Sequence, residues 1–193
     1  MRESELPGEI AAIKEKLGKL KKPDFRWEGL RKAAVLIPLF YDSQGELSTV
    51  FLKRPLSMPT HKGDFAFPGG HIAEGETPKE TALREAKEEL GIDPREVALL
   101  GEMPLTRTLS QFSITPVVGW LEKTPEIKPN PTEVDEVLIA RWRDLADPAN
   151  IEEQSTDLFP ERTTIYFIRI SGKTVWGATA HIVVKFVRDI LAG

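Results

Sequence analysis

The sequence predicts a mixed α/β domain in which strands outnumber helices. Three observations carry that reading: two apolar runs flanking a turn in the first third, a fully signalled helix from Thr77 to Gly91, and apolar residues at helical spacing near both ends. Residues 8 to 20 place Ile10, Ile13, Leu17 and Leu20 on one face and close on Lys21, Lys22 and Pro23. They read as an amphipathic helix that packs on the domain or on a partner. Ala33 to Tyr41 reads as a buried strand, and Asp42-Ser43-Gln44-Gly45 turns the chain into a second strand from Ser48 to Arg54, making a hairpin. From Pro55 to Gly75 the chain carries Gly63, Gly69, Gly70 and Gly75, more backbone freedom than a simple connection requires.

The next helix has Thr77 as N-cap, Pro78 at its first position and Glu80 as the capping-box partner. It runs to Leu90 and stops at Gly91, a residue able to take the left-handed conformation. Val97 to Leu100, Ile114 to Leu121 and Glu133 to Ala140 read as strands, followed by a short helix from Arg143 to Ala146. Pro148 to Arg162 reads as a polar loop, Ile165 to Ile170 as a strand, and Thr179 to Leu191 as a helix marked by Ile182, Val183, Phe186 and Ile190. There is no internal repeat and no low-complexity tract, so residues 31–193 are expected to form one domain, preceded by a helical extension over residues 1–30.

The chain has 193 residues, 26 Lys and Arg against 30 Asp and Glu, and no cysteine. Its length and 40% hydrophobic content suffice for one core. The absence of cysteine excludes disulfides, thiolate metal sites and cysteine nucleophiles. A net charge of −4 argues against binding a nucleic-acid polymer, whose phosphates require a basic surface. The longest apolar stretch, residues 33–40, is too short to span a membrane and contains Pro38. The first residues carry acids and lack an apolar targeting segment, so the expected compartment is the cytoplasm. The terminal apolar helices are candidate interfaces for a homodimer.

The helix from Pro78 to Leu90 holds Glu85, Glu88 and Glu89 at i, i+3 and i+4, with Arg84 beside them. Side chains at this spacing share one face, where three like charges repel. Hard divalent cations such as Mg²⁺ or Mn²⁺ favour such an oxygen cluster.

The spacing continues outward. Gly70, five residues, Glu76, seven residues, Arg84-Glu85-Ala86, one residue, Glu88-Glu89, one residue and Gly91-Ile92 resembles the complete Nudix hydrolase signature. Ala86 is the one soft match, at an aliphatic position. The resemblance implies an α/β/α sandwich with a mixed sheet and cleavage of a nucleoside diphosphate linked to another moiety. It implies that Glu85, Glu88 and Glu89 hold Mg²⁺ or Mn²⁺ together with the carbonyl of Gly70. It further implies that Arg84 pairs with Glu76 to fix the loop on the helix, and that Gly91 ends the helix. The resulting partner is a small nucleotide.

Two further stretches resemble coenzyme A pyrophosphatases of that family. One runs from Leu52 through Arg54 and Gly63 to Phe67-Pro68-Gly69-Gly70; the other is Trp176-Gly177-Ala178-Thr179-Ala180. Pro59 replaces the second Arg of the subfamily pattern, Pro55 its usual Ser and His181 a common Arg. Lys53, Arg54, His61 and Lys62 form a basic stretch that is a candidate site for phosphates, with His61 and Lys62 offsetting the missing Arg. Arg107 stands where ADP-ribose pyrophosphatases carry Pro, with Pro104 nearby, and Thr108, Leu109 and Ser110 stand where diadenosine polyphosphate hydrolases carry Tyr. The general base is open between a signature glutamate such as Glu85 and a carboxylate of the later polar loop, Glu152, Glu153, Asp157 or Glu161. Phe112 and Phe159 are candidates for stacking on adenine.

Overall fold

The computed structural model describes residues 6–21, 29–55, 63–108, 111–156 and 163–192. The elements are α1 (Gly8–Lys19), β1 (Arg31–Tyr41), β2 (Leu47–Lys53), β3 (Phe65–Ala66), β4 (Gly69–His71), α2 (Pro78–Leu90), β5 (Val97–Glu102), β6 (Thr106–Arg107), β7 (Phe112–Leu121), β8 (Glu136–Arg141), α3 (Trp142–Ala146), β9 (Ile151–Thr156), β10 (Thr163–Ile170), β11 (Lys173–Trp176) and α4 (Gly177–Phe186). A one-turn π-helix from Val187 to Leu191 extends α4.

β1 is the central strand because its residues are apolar on both faces. It runs parallel to β7 from Arg31↔Phe112 to Leu39↔Trp120. Its other edge is shared: Ala33 to Val35 pair with β4, and only Phe40 and Tyr41 pair with β2. Pro38 lies where the edge changes hands. The Leu36 N–H donates to Pro68 O at 2.8 Å on that edge. Two residues on, proline has no N–H to offer a ladder, so β2 joins only after it. The expected hairpin therefore forms as a splayed pair, and β2 finds most of its partners in β8, from Ser48↔Arg141 to Lys53↔Glu136. β5 and β6 complete the sheet on β7.

Side chains alternate across this mixed sheet. Ala34, Leu36, Phe40, Val50, Leu52, Val117 and Leu121 pack under α2 with Ala82, Ala86 and Leu90. Ile37, Leu39, Phe51, Val118 and Trp120 face the opposite layer, where α1 supplies Ile10, Ile13 and Leu17 and α4 supplies Ile182, Val183 and Phe186. This is the expected α/β/α sandwich. The apolar faces of α1 and α4 are buried within the chain itself, so they are not open homodimer surfaces. Among the described residues, no helix is long and apolar enough to cross a membrane.

The polar segment expected as a loop after Pro148 instead contains β9, which joins β10 and β11 in a separate antiparallel sheet. Its residues, Ile151-Glu-Glu-Gln-Ser-Thr156, are mostly half-buried or exposed. As an edge strand with no buried residue, β9 needs no apolar alternation.

The capping box on α2 is complete. Thr77 N–H donates to Glu80 Oε2 at 2.8 Å, and Glu80 N–H donates to Thr77 Oγ1 at 3.3 Å. Gly91 takes φ +72°, and its N–H donates to Lys87 O. Thr77→Ala is expected to lower stability by about 1 kcal/mol in urea unfolding.

Candidate active site

α2 lies over the short strand β4, and this contact builds the site. Gly69 pairs with Val35 and Gly70 with Ala34. A Cβ on Gly70 would overlap the Glu85 carboxylate, and one on Gly69 would overlap Ala34 O and come within 2.7 Å of Val35 Cα. Both positions therefore require glycine for close approach, and the Glu85 carboxylate lies directly against the Gly70 backbone.

The three glutamates occupy different surroundings. Glu89 is 4% exposed, and its Oε2 accepts the Gly69 N–H at 2.9 Å. Burial pushes its carboxyl up to about 8, reinforced by the charges of Glu85 and Glu133 and opposed by the Gly69 N–H and Arg54. Glu85 is largely covered, whereas Glu88 is about half exposed. Arg84 Nη1 donates to Glu85 Oε1 at 2.8 Å and to Glu88 Oε2 at 3.0 Å. Among the described residues, no three acidic or histidine side chains are gathered tightly enough to hold a metal as placed. The shared Arg84 nitrogen pairs with both Glu85 and Glu88.

The donor set still fits a hard divalent cation. It is all oxygen, it has the glycine cradle at Gly70, and its most buried carboxylate, Glu89, has no cationic hydrogen-bond partner among the described residues.

Arg84 also holds the loop. Its Nε and Nη2 donate to Glu76 Oε1 and Oε2 at 2.8 and 3.2 Å, and Nη2 reaches His71 O at 3.4 Å. Glu76 Oε2 accepts from Thr81 Oγ1 at 2.7 Å and from Ala73 N–H at 3.3 Å. The Arg84 guanidinium, followed by the Thr81 hydroxyl, draws the Glu76 carboxyl down to about 2, and the same carboxylates raise Arg84.

The expected basic stretch divides. Lys53 Nζ lies 3.5 Å from Glu136, which also takes Lys173 at 2.6 Å, and it sits over the Phe65 ring. Arg54, the next residue, instead acts on Glu89. Successive strand residues alternate faces, so neighbours in sequence serve different surroundings. Arg54 Nε is buried and has no hydrogen-bond partner among the described residues. His61, Lys62 and Pro59 lie outside the described residues, as do Asp157, Glu161 and Phe159.

Of the other base candidates, Glu152 is engaged by Arg169 and by Gln154, and Glu153 is exposed on β9. Phe112 carries Arg31 over its ring at 4.2 Å, and the His71 ring lies 4.9 Å away, tilted by 52°. Sequence reasoning missed Glu133, whose charge reaches Glu89 from the turn before β8. Asn130 is the link, because its backbone N–H donates to Glu89 O at 2.9 Å and its side chain to Glu133 Oε1 at 3.3 Å. No local motif marks that pairing.

The NUDIX domain profile matches residues 30–162. The chain is 34% identical over 172 residues to the Nudix hydrolase NudL of Pectobacterium atrosepticum, covering 83% of each. It is 33% identical over 162 residues to the chloroplastic Nudix hydrolase 22 of Arabidopsis thaliana, covering 80% of this chain and 54% of that protein. The chain thus spans about half the length of that plant relative. Among solved structures, DR0079 of Deinococcus radiodurans superposes with a TM-score of 0.53 at 21% identity, covering 86% of this chain and 87% of that one. A MutT/nudix family protein of Enterococcus faecalis gives 0.55 at 16% identity, covering 91% and 66%. These structures share the fold; the matched profile and the NudL identity place the chain in the Nudix hydrolase family.

Proposed function

We propose that the protein hydrolyses the pyrophosphate bond of a nucleoside diphosphate derivative with Mg²⁺ or Mn²⁺, and that coenzyme A or its derivatives are the substrate, giving 3′,5′-ADP and a 4′-phosphopantetheine compound. The observation that carries this reading is the buried Arg54 Nε, which has no hydrogen-bond partner among the described residues, on a residue whose charge acts on Glu89. A buried guanidinium nitrogen without a partner is costly, and a phosphate oxygen is the group its fork matches. The two stretches that resemble coenzyme A pyrophosphatases support the narrower substrate.

Glu85, Glu88 and Glu89, with the Gly70 carbonyl, would hold the cation. When bound, it supplies electrophilic polarisation of a phosphoryl oxygen and an activated water. Arg54 binds and orients the diphosphate. Arg84, released in part from Glu85 and Glu88, keeps Glu76 and the loop fixed under α2. Glu89 holds a proton at its carboxyl in the neutral range and gives it up as cation and substrate enter.

The test is incubation with coenzyme A, ADP-ribose and diadenosine tetraphosphate, each with Mg²⁺, Mn²⁺ or EDTA, and chromatography of the products. Metal-dependent release of 3′,5′-ADP from coenzyme A is expected to exceed turnover of the other two. Turnover of ADP-ribose without release of 3′,5′-ADP would overturn the coenzyme A reading.

A further inference from the structure

We infer that Trp176 is a positioning residue for Arg54, acting through Asp64. The inference rests on Arg54 being the diphosphate-binding group. Trp176 precedes α4 and is 41% exposed, so burial does not account for a large indole there. Its Nε1–H donates to Asp64 Oδ1 at 2.9 Å, across 112 residues of chain. Phe167 stacks on the indole, with centroids 6.1 Å apart and planes 7° apart, and so fixes the direction of that N–H. The acceptor is a side-chain carboxyl oxygen, and the 2.9 Å length is that of a well-formed hydrogen bond.

Asp64 in turn grips Arg54. The Arg54 N–H donates to Asp64 O at 3.1 Å, and the Gly63 N–H donates to Arg54 O at 3.0 Å. Both backbone groups of Arg54 are thus held by the Gly63–Asp64 pair. The neighbouring ladder, Lys53↔Phe65 and Leu52↔Ala66, continues the same clamp. The separate β9–β10–β11 sheet therefore reaches Arg54 by way of the Trp176–Asp64 hydrogen bond. Its removal leaves Arg54 covalently in place but free to shift, and a displacement of about 1 Å at a positioned group costs on the order of a hundredfold in the worst case.

Trp176→Phe keeps the ring on Phe167 and removes only the donor. Asp64→Ala removes the acceptor from the other side and serves where Trp176→Phe does not fold. Calorimetric titration of inorganic pyrophosphate at fixed Mg²⁺ gives the affinity of the wild type, each variant, Arg54→Ala and the double variant Trp176→Phe/Arg54→Ala. Trp176→Phe is expected to weaken pyrophosphate binding by about tenfold, a partial share of the loss that misplacing a positioned group can cause. In the Arg54→Ala background the same substitution is expected to add nothing, because the residue through which it acts is gone. In turnover, KM is expected to rise more than kcat falls. Wild-type affinity in the folded variants, or additive losses in the double variant, would overturn the positioning role alone. A wild type that binds no pyrophosphate would overturn the phosphate-binding reading of Arg54 and the positioning role with it.

Discussion

Glu89→Gln is expected to abolish hydrolysis and at the same time to stabilise the metal-free protein above neutral pH. The Glu89 carboxyl is raised from 4.5 to about 8, first by burial. Between these values the unfolded chain releases a proton that the folded chain retains. Stability therefore falls as pH rises through that window, by up to about 4 kcal/mol at pH 8. Glutamine is isosteric, keeps an oxygen for the Gly69 N–H and carries no charge to desolvate. The variant should melt several degrees above wild type at pH 8 in EDTA, and at the same temperature near pH 4. Saturating Mg²⁺ should reverse the order, because only the wild type gains stability from the ion. Activity should fall by at least about a hundredfold, since a ligand to the reacting metal is lost. An equal melting difference at pH 4 and pH 8 would show that Glu89 is not the buried titrating group.

Arg84→Lys is expected to lower activity by about 10- to 100-fold while leaving every signature carboxylate in place. Arginine presents its Nε and both Nη groups to Glu76, Glu85, Glu88 and the His71 carbonyl. Lysine is a point charge on a flexible stem and cannot hold the loop carboxylate and the helix carboxylates together. The loss should fall on kcat and on metal affinity together, because the loop bearing Gly70 is no longer fixed against α2. Stability should also decrease, with a defined pH dependence. Glu76 sits well below its ordinary range because of Arg84. The pair's contribution is therefore fully present above pH 4.5 and lost as pH falls toward 2. The melting difference between wild type and Arg84→Lys should accordingly be largest at neutral pH and shrink in acid. A conservative variant with wild-type kcat would remove Arg84 from the site.

Much of this arrangement is legible in the sequence because it is local. Thr77, Pro78, Glu80 and Gly91 specify α2 and its ends by short-range chemistry. The i, i+3, i+4 spacing puts the glutamates on one side, and the glycines announce a close backbone approach. What sequence reasoning missed depends on distant partners. β9 is polar because it is a half-exposed edge strand of its sheet, so its strand character comes from pairing with β10. Glu133 acts on Glu89 through its charge, and Asn130 ties the Glu89 backbone to the Glu133 side chain, a juxtaposition that no periodicity encodes. The basic stretch looked continuous in sequence, yet strand alternation sends Lys53 to Glu136 and Arg54 to Glu89. The glutamates share a face but not an environment: Arg84 takes Glu85 and Glu88, and burial takes Glu89. The electrostatic asymmetry of the site thus arises from packing on Gly69 and Gly70 rather than from the helix pattern.

The central claim is that the carboxylate face of α2 is a divalent-cation site whose occupancy is set against a proton on Glu89. Calorimetric titration of the metal-free protein with Mn²⁺ at pH 6, 7 and 8 tests it most directly. The account requires Mn²⁺ to bind the wild type about tenfold more tightly at pH 7 than at pH 6 and about fivefold more tightly again at pH 8, with proton release, and binding to be lost in Glu89→Gln. Binding that is independent of pH, or equally tight in Glu89→Gln, would contradict it.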